Sequence, residues 1–257
     1  MHCFSFDIET IPDVDSGRLL YDLDGLSDDD VGTAMRFMRL QQTGSDFLPL
    51  HLQRVVAISV AFRTGDSFKV WSLGDRDADE AEIIGRFFEG VERYSPELVS
   101  WNGSGFDLPV LHYRALKHGI QAPRYWETGD HDREFRYNNY LSRFNWRHID
   151  LMDVLAGFQP RGRASLEQIA VMLGFPGKLG MSGDKVWDCW LDGGIDDIRN
   201  YCETDVLNTH LVYLRFQLMR GELDEKRLDR EYELVRSTIE AMGESHLDEF
   251  LKAWQAG

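Results

Sequence analysis

A chain of 257 residues, 43% hydrophobic and 12% aromatic, can bury a sizeable core, and its length fits one α/β domain with a helical extension at about 222–257. Its formal net charge of −16 excludes a general electrostatic grip on phosphate backbones, so a nucleic-acid partner has to be held locally. No apolar run approaches the ~20 residues of a membrane span, the N-terminus lacks a signal-peptide layout, and Cys3, Cys189 and Cys202 have no CxxC or disulfide-framework spacing, so a cytoplasmic protein with reduced thiols and no membrane partner is expected.

Residues 1–9 read as a first strand. Alternation along it places Phe4, Phe6 and Ile8 on one face and the two acids Asp7 and Glu9 together on the other. A half-exposed strand carries such a pair on its wet side without further meaning. Residues 13–54 read as acidic and irregular, with one helix near 28–42. Residues 55–63 and 67–73 predict two more strands joined by a Thr-Gly-Asp turn, and 79–94 predicts an amphipathic helix with Ile83, Ile84, Phe87, Phe88 and Val91 on its apolar side.

A fourth strand at 97–101 runs into the turn "NGSG", after which Asp107 opens a helix that Gly119 closes; in isolation Asp107 reads as a helix cap. Residues 133–148 interleave Arg133, Arg136, Arg143 and Arg147 with Phe135, Tyr137, Tyr140, Phe144 and Trp146. That pattern suits either a stacking surface for single strands or a loop folded onto its own aromatics. Residues 148–155 begin like a fifth strand and can continue as a helix, and helices follow at 165–175, at 194–221 and in the acidic C-terminal stretch. Such an order predicts a mixed sheet with helices on both faces.

In the 194–221 helix, Tyr201 and Asp205 lie one turn apart, and Asp205 shares a stripe with Ile198, Cys202, Val212 and Phe216. A carboxylate on a core-facing stripe is costly unless it is paired or holds a metal, whereas Glu203, on another face, reads as solvated. If Asp7, Glu9, Asp107 and Asp205 meet, each pair ~4 Å apart repels by roughly 4 kcal/mol at an effective dielectric of ~20. Oxygen-only ligation favours Mg²⁺ or Mn²⁺ over zinc, and two such ions balance four acids.

Three segments resemble, in order, the Exo I, II and III motifs of the DEDD 3′-5′ exonucleases: D-x-E in "FDIET", N-x3-F-D in "NGSGFD" and Y-x3-D in "YCETD". The tyrosine marks the DEDDy branch. The flanking "HIDLMDVL", "GKLGMSGDKVW" and "IRNYCETDVLNT" resemble stand-alone predicted exonucleases related to the proofreading domain of family-B DNA polymerases, and the likeness covers nearly the whole chain, without a polymerase region.

The resemblance implies a ribonuclease H-like α/β fold, a mixed β-sheet flanked by helices, and a two-metal mechanism using Mg²⁺ or Mn²⁺. It implies that Asp7 bridges both ions, that Glu9 and Asp205 complete one site, that Asp107 supports the other, and that Tyr201 positions the attacking water. Implied substrate contacts are Asn102 through hydrogen bonds, Phe106 through packing, Thr10 through its backbone, and Met181 and Lys185 from a Gly-rich loop. The expected activity is release of nucleoside 5′-monophosphates from single-stranded or frayed DNA 3′ ends, as in proofreading or DNA repair. RNA as substrate and a catalytically silent nucleic-acid-binding protein are the alternatives, and the complete acid set weighs against the latter. Polarity follows from the resemblance alone.

Overall fold

A computed structural model describes residues 2–256. Five strands, β1 (His2–Pro12), β2 (Gln53–Thr64), β3 (Ser67–Ser72), β4 (Glu97–Ser100) and β5 (His148–Asp150), form one sheet in the order β3-β2-β1-β4-β5. The first three pair antiparallel, while β4 and β5 run parallel to β1, so the sheet is mixed as expected. Two features of β1 prepare the site. Its pairing with β4 stops at Ser5↔Val99, which leaves the later residues of β1 without a strand on that side. Opposite Glu9 and Thr10, Val56 forms an extra residue on β2, a bulge of the kind that re-aims side chains beside functional sites.

Ten helices are described: α1 (Val14–Tyr21), α2 (Asp28–Thr43), α3 (Glu80–Tyr94), α4 (Asp107–His118), α5 (Leu151–Leu155), α6 (Leu166–Met172), α7 (Val186–Leu191), α8 (Ile195–Met219), α9 (Glu225–Met242) and α10 (Ser245–Ala256). On one face of the sheet, Phe4, Phe6 and Ile8 join Phe87 of α3 and Leu111 of α4 in an apolar cluster. On the other face lies α8. Its residues Val206, Leu211 and Leu214 pack with Val235 and Ile239 of α9 and Phe250 of α10, so the C-terminal helices share a core with the sheet. Among the described residues no helix is long and apolar enough to cross a membrane.

Several expectations are corrected. The stretch after β1 is not irregular: the Asp13 carboxylate accepts from Ser16 N at 3.2 Å and Ser16 Oγ at 2.6 Å, and this cap starts α1. Residues 148–155, by contrast, run from strand into helix as expected, because Asp150 ends β5 and caps α5 by accepting from Asp153 N. The acidic C-terminal stretch breaks into two helices at Gly243, where φ is +64°. Glu203 is not solvated. It is buried, accepting from Ser72 Oγ at 2.7 Å and meeting His246 Nε2 at 2.8 Å, because α10 covers the face that a surface helix would leave wet.

A buried ion network locks the helix that carries Asp107. Arg114 of α4, 2% exposed, binds both Asp13 and Glu80, and Glu80 also accepts from the β2 amide Val55 N at 2.7 Å. It ties α4 to the end of β1, to β2 and to α3 at once.

Candidate active site

Strand parity works as the sequence indicates: Asp7 and Glu9 turn away from the Phe4–Phe6–Ile8 cluster toward α8. From α8 the Cys202 thiol donates to the Asp7 main-chain carbonyl at 3.4 Å and lies 3.8 Å from the carboxylate. Ligand atoms of Asp7, Glu9 and Cys202 fall within 4.8 Å of one another. Burial, followed by the charges of Asp7 and Glu9, pushes the Cys202 thiol well above its usual range, so it stays protonated and serves as a donor.

Asp107 arrives where β4 has turned away from β1. It is the first residue of α4 rather than its cap: Phe106 holds the cap position and makes no side-chain capping bond. The Asp107 carboxylate is buried, and the backbone amides of Asp107 itself and of Ile8 in β1 draw it toward its ionised form. Burial still pushes it up to about 7. The loop before it is fixed by Asp150, whose two oxygens accept from Asn102 N and Ser104 N, each at 2.9 Å. Asn102 sits at φ +65°, the left-handed region that asparagine tolerates.

From the helix side come Tyr201 and Asp205, both buried. Burial pushes Asp205 up to about 6, partly offset by the Tyr201 hydroxyl and by Lys178. Its Oδ1 is buried and lacks a hydrogen-bond partner among the described residues. Burial and then the charges of Asp205 and Glu9 hold the Tyr201 phenol far above its normal pKa, so it is neutral. For Asp7, burial and then Asp107, Glu9 and Asp205 raise the pKa; for Glu9, burial and then Asp205 and Asp107 do so. The charges of Asp107 and Asp205 thus act on Asp7 and Glu9 at the end of β1, while the tight group of ligand atoms is that of Asp7, Glu9 and Cys202.

The donor set fits hard divalent cations. An unpartnered buried oxygen on Asp205, Asp7 and Glu9 raised by burial and by the neighbouring acids, and a thiol kept protonated leave oxygen ligands in need of positive charge. Asp7, Glu9, Asp107 and Asp205 are the residues that would hold such ions.

The remaining expected contacts surround this cluster. Thr10, beside the bulge, donates its hydroxyl to Gln53 Oε1 at 3.0 Å, and Phe106 packs 5.8 Å from Phe47. Met181 and Lys185 line a cavity of about 620 Å³ whose wall includes Tyr201. The lysine that lies against the acids is another one from the same loop: Lys178, with Nζ 5.7 Å from the Tyr201 ring centre, draws both Glu9 and Asp205 toward their ionised forms. Sequence reasoning passed over Lys178 and also Asp150, although the D-x-x-D spacing of "HIDLMD" is the signal of a cap.

These features define a nuclease-type acidic centre on an α/β scaffold. Residues 45–254 match a family described as a predicted 3′-5′ exonuclease related to the exonuclease domain of PolB, and the chain belongs to that family. The enzyme class is therefore 3′-5′ exonuclease, with the ribonuclease H-like fold and a nucleic-acid substrate. The matched span includes Asp107, Tyr201 and Asp205, while Asp7 and Glu9 precede it.

Among curated relatives, the chain is 25% identical over 174 residues to a DNA polymerase of Archaeoglobus fulgidus, a match covering 66% of this chain and 21% of the polymerase. It is 24% identical over 150 residues to the catalytic polypeptide of DNA polymerase epsilon from Schizosaccharomyces pombe, covering 54% of this chain and 6% of that protein. A DNA polymerase of Pyrococcus glycovorans is 25% identical over 178 residues, 66% of this chain and 23% of the polymerase. The chain thus spans less than a quarter of the length of each of these relatives.

Proposed function

We propose that the protein trims DNA 3′ ends one nucleotide at a time, preferring unpaired ends, with two Mg²⁺ or Mn²⁺ ions held by Asp7, Glu9, Asp107 and Asp205. The reading is carried by the crowding of acids on Asp7 and Glu9, which Asp107 and Asp205 push up further, with Lys178 offsetting the charge at Glu9 and Asp205. When bound, the cations supply the positive charge that shields the attacked phosphodiester and polarises water.

The chain's own groups do the rest. Asp7 projects from the strand at the centre of the sheet, with Glu9 beside it, and Asp205 comes from α8 opposite. Tyr201, neutral at any working pH, acts by donating a hydrogen bond that orients the attacking water. Lys178 keeps Glu9 and Asp205 closer to the ionised state in which carboxylates ligate cations. Asp150 holds the Asn102–Ser104 turn and through it the approach to Asp107.

The test is digestion of 5′-labelled DNA and RNA oligomers, single-stranded and duplex, with Mg²⁺, Mn²⁺ or chelator. A ladder shortening singly from the 3′ end of DNA, abolished by chelator, is expected. Faster shortening of RNA would move the assignment to a ribonuclease, and binding without shortening in either metal would leave a nucleic-acid-binding protein.

A further inference from the structure

The 133–148 segment divides in the structure. Phe135 is buried between the guanidiniums of Arg124 and Arg147, 4.1 and 3.9 Å from its ring centre, and Tyr140 stacks on Tyr125 at 5.5 Å. These residues are folded onto themselves. Arg143, in contrast, lines a cavity of about 320 Å³ together with Ser104, Leu108, His112, Tyr140 and Arg163. Leu108 is the residue after Asp107 in α4.

Three observations make this recess a binding site rather than a packing gap. First, His112 Nε2 is buried without a hydrogen-bond partner among the described residues, and burial holds the ring neutral by lowering its pKa to about 4. A buried polar atom of this kind calls for a ligand atom. Second, Arg143 and Arg163 share one carboxylate, Asp153, at 3.4 and 2.7 Å, so two cations face one acid, and among the described residues other guanidinium N–H donors have no partner. On a chain of net charge −16, this is a local excess of positive charge. Third, Arg143 lies over Phe158 at 4.7 Å and Phe144 at 5.6 Å, and Phe144 is 71% exposed. Phe158 holds φ +59°, an unfavourable conformation for a bulky side chain, fixed by its amide bond to Asp153 O at 2.7 Å. Asp153 therefore sets both the arginines and the aromatic pair.

We propose that this cavity is a subsite for an unpaired nucleotide 5′ of the scissile bond, with its base in the recess beside His112 and Tyr140, its phosphate on Arg143 and Arg163, and Phe144, outside the cavity but against Arg143, stacking on the neighbouring base. The inference rests on the exonuclease reading: with the 3′ end at the acids, every other nucleotide of the strand lies on the 5′ side. The cavity volume is at the lower end of the ~300–1,000 Å³ of small-ligand sites, the size range of a single nucleotide. Exposed aromatics beside arginines are the usual means of holding single strands without reading sequence.

The experiment is fluorescence anisotropy of fluorescein-labelled (dT)8 with the full-length protein in chelator, where cleavage plays no part. Phe144→Ala, at an exposed position, is expected to bind roughly tenfold more weakly with an unchanged thermal midpoint. Arg163→Gln is expected to make the slope of log affinity against log salt shallower by about 0.7, the signature of one lost phosphate contact on a single strand. With Mn²⁺ present, Arg163→Gln should raise KM for (dT)8 while kcat holds. Wild-type affinity and salt slope in both variants, or a loss in Arg163→Gln that falls on kcat with KM unchanged, overturn the subsite. Weakened binding by the variants of a wild type that never cleaves upholds the subsite and removes the exonuclease reading instead.

Discussion

The Cys202 thiol donates to the main-chain carbonyl of Asp7 at 3.4 Å, joining the helix that bears Asp205 to the strand that bears Asp7 and Glu9. Cys202→Ser keeps a donor of similar size and should retain wild-type turnover, whereas Cys202→Val removes it. A typical hydrogen bond contributes about 1 kcal/mol, so a loss of order fivefold is expected for valine. Single-turnover cleavage of labelled DNA by the two variants measures the difference.

Replacing Asp205 by Asn removes one charge from the cluster at constant shape. Cleavage should fall by at least three orders of magnitude, while the thermal midpoint in chelator should rise by a few degrees, because a repelling and unpartnered carboxylate is gone. A variant that is inactive and also less stable in chelator would show that Asp205 is structural.

Lys178→Met takes away the cation that draws Glu9 and Asp205 toward ionisation. The Mn²⁺ concentration for half-maximal cleavage should rise about tenfold at pH 7, and raising the pH should recover part of it. Lys185→Met, whose side chain lines the cavity on which Tyr201 borders, should leave that midpoint unchanged.

The acids make stability depend on pH in a way that reverses with metal. Asp107, at about 7, and Asp205, at about 6, are raised above their unfolded values, so without metal they favour the fold at low pH, and that contribution is lost as pH rises through 6 to 7. Cations bind the ionised forms, so the gap in thermal midpoint between saturating Mn²⁺ and chelator should widen from pH 5 to pH 8. The buried His148, lowered to about 4, and His210, lowered to about 3, act in the opposite direction. Being depressed, they contribute stability above ~6.5 that is lost as pH falls toward 4, and they temper the low-pH gain in chelator. Differential scanning fluorimetry across this range gives both slopes.

Arg114→Met should destabilise the fold by about 3 kcal/mol or more, because it strands Asp13 and Glu80, both buried, without their shared partner. Urea unfolding measures the change. Removing both acids as well, in Arg114→Met with Asp13→Asn and Glu80→Gln, should restore part of the loss.

Three of the acids were legible because they sit on elements with a clear period, two for β1, which put Asp7 and Glu9 opposite Phe6 and Ile8, and 3.6 for α8, which put Asp205 in line with Cys202, whereas Asp107 read as a cap until the motif resemblance singled it out. Period alone misread Glu203, because it assumes one wet face, and α8 is enclosed on its far side by α9 and α10. α1 was hidden in an acidic run where the cap, Asp13, resembles its neighbours. Lys178 could not be chosen over Lys185, because a loop has no period and its contacts depend on how the turn closes.

β1 outruns β4 after Ser5, and in that stretch Asp7 meets Cys202 of α8. Asp205 stands nearly two hundred residues after Asp7 in the chain. Strand β1 and helix α8 therefore bring residues from the two ends of this sequence face to face, and that meeting depends on long-range folding rather than on local structure.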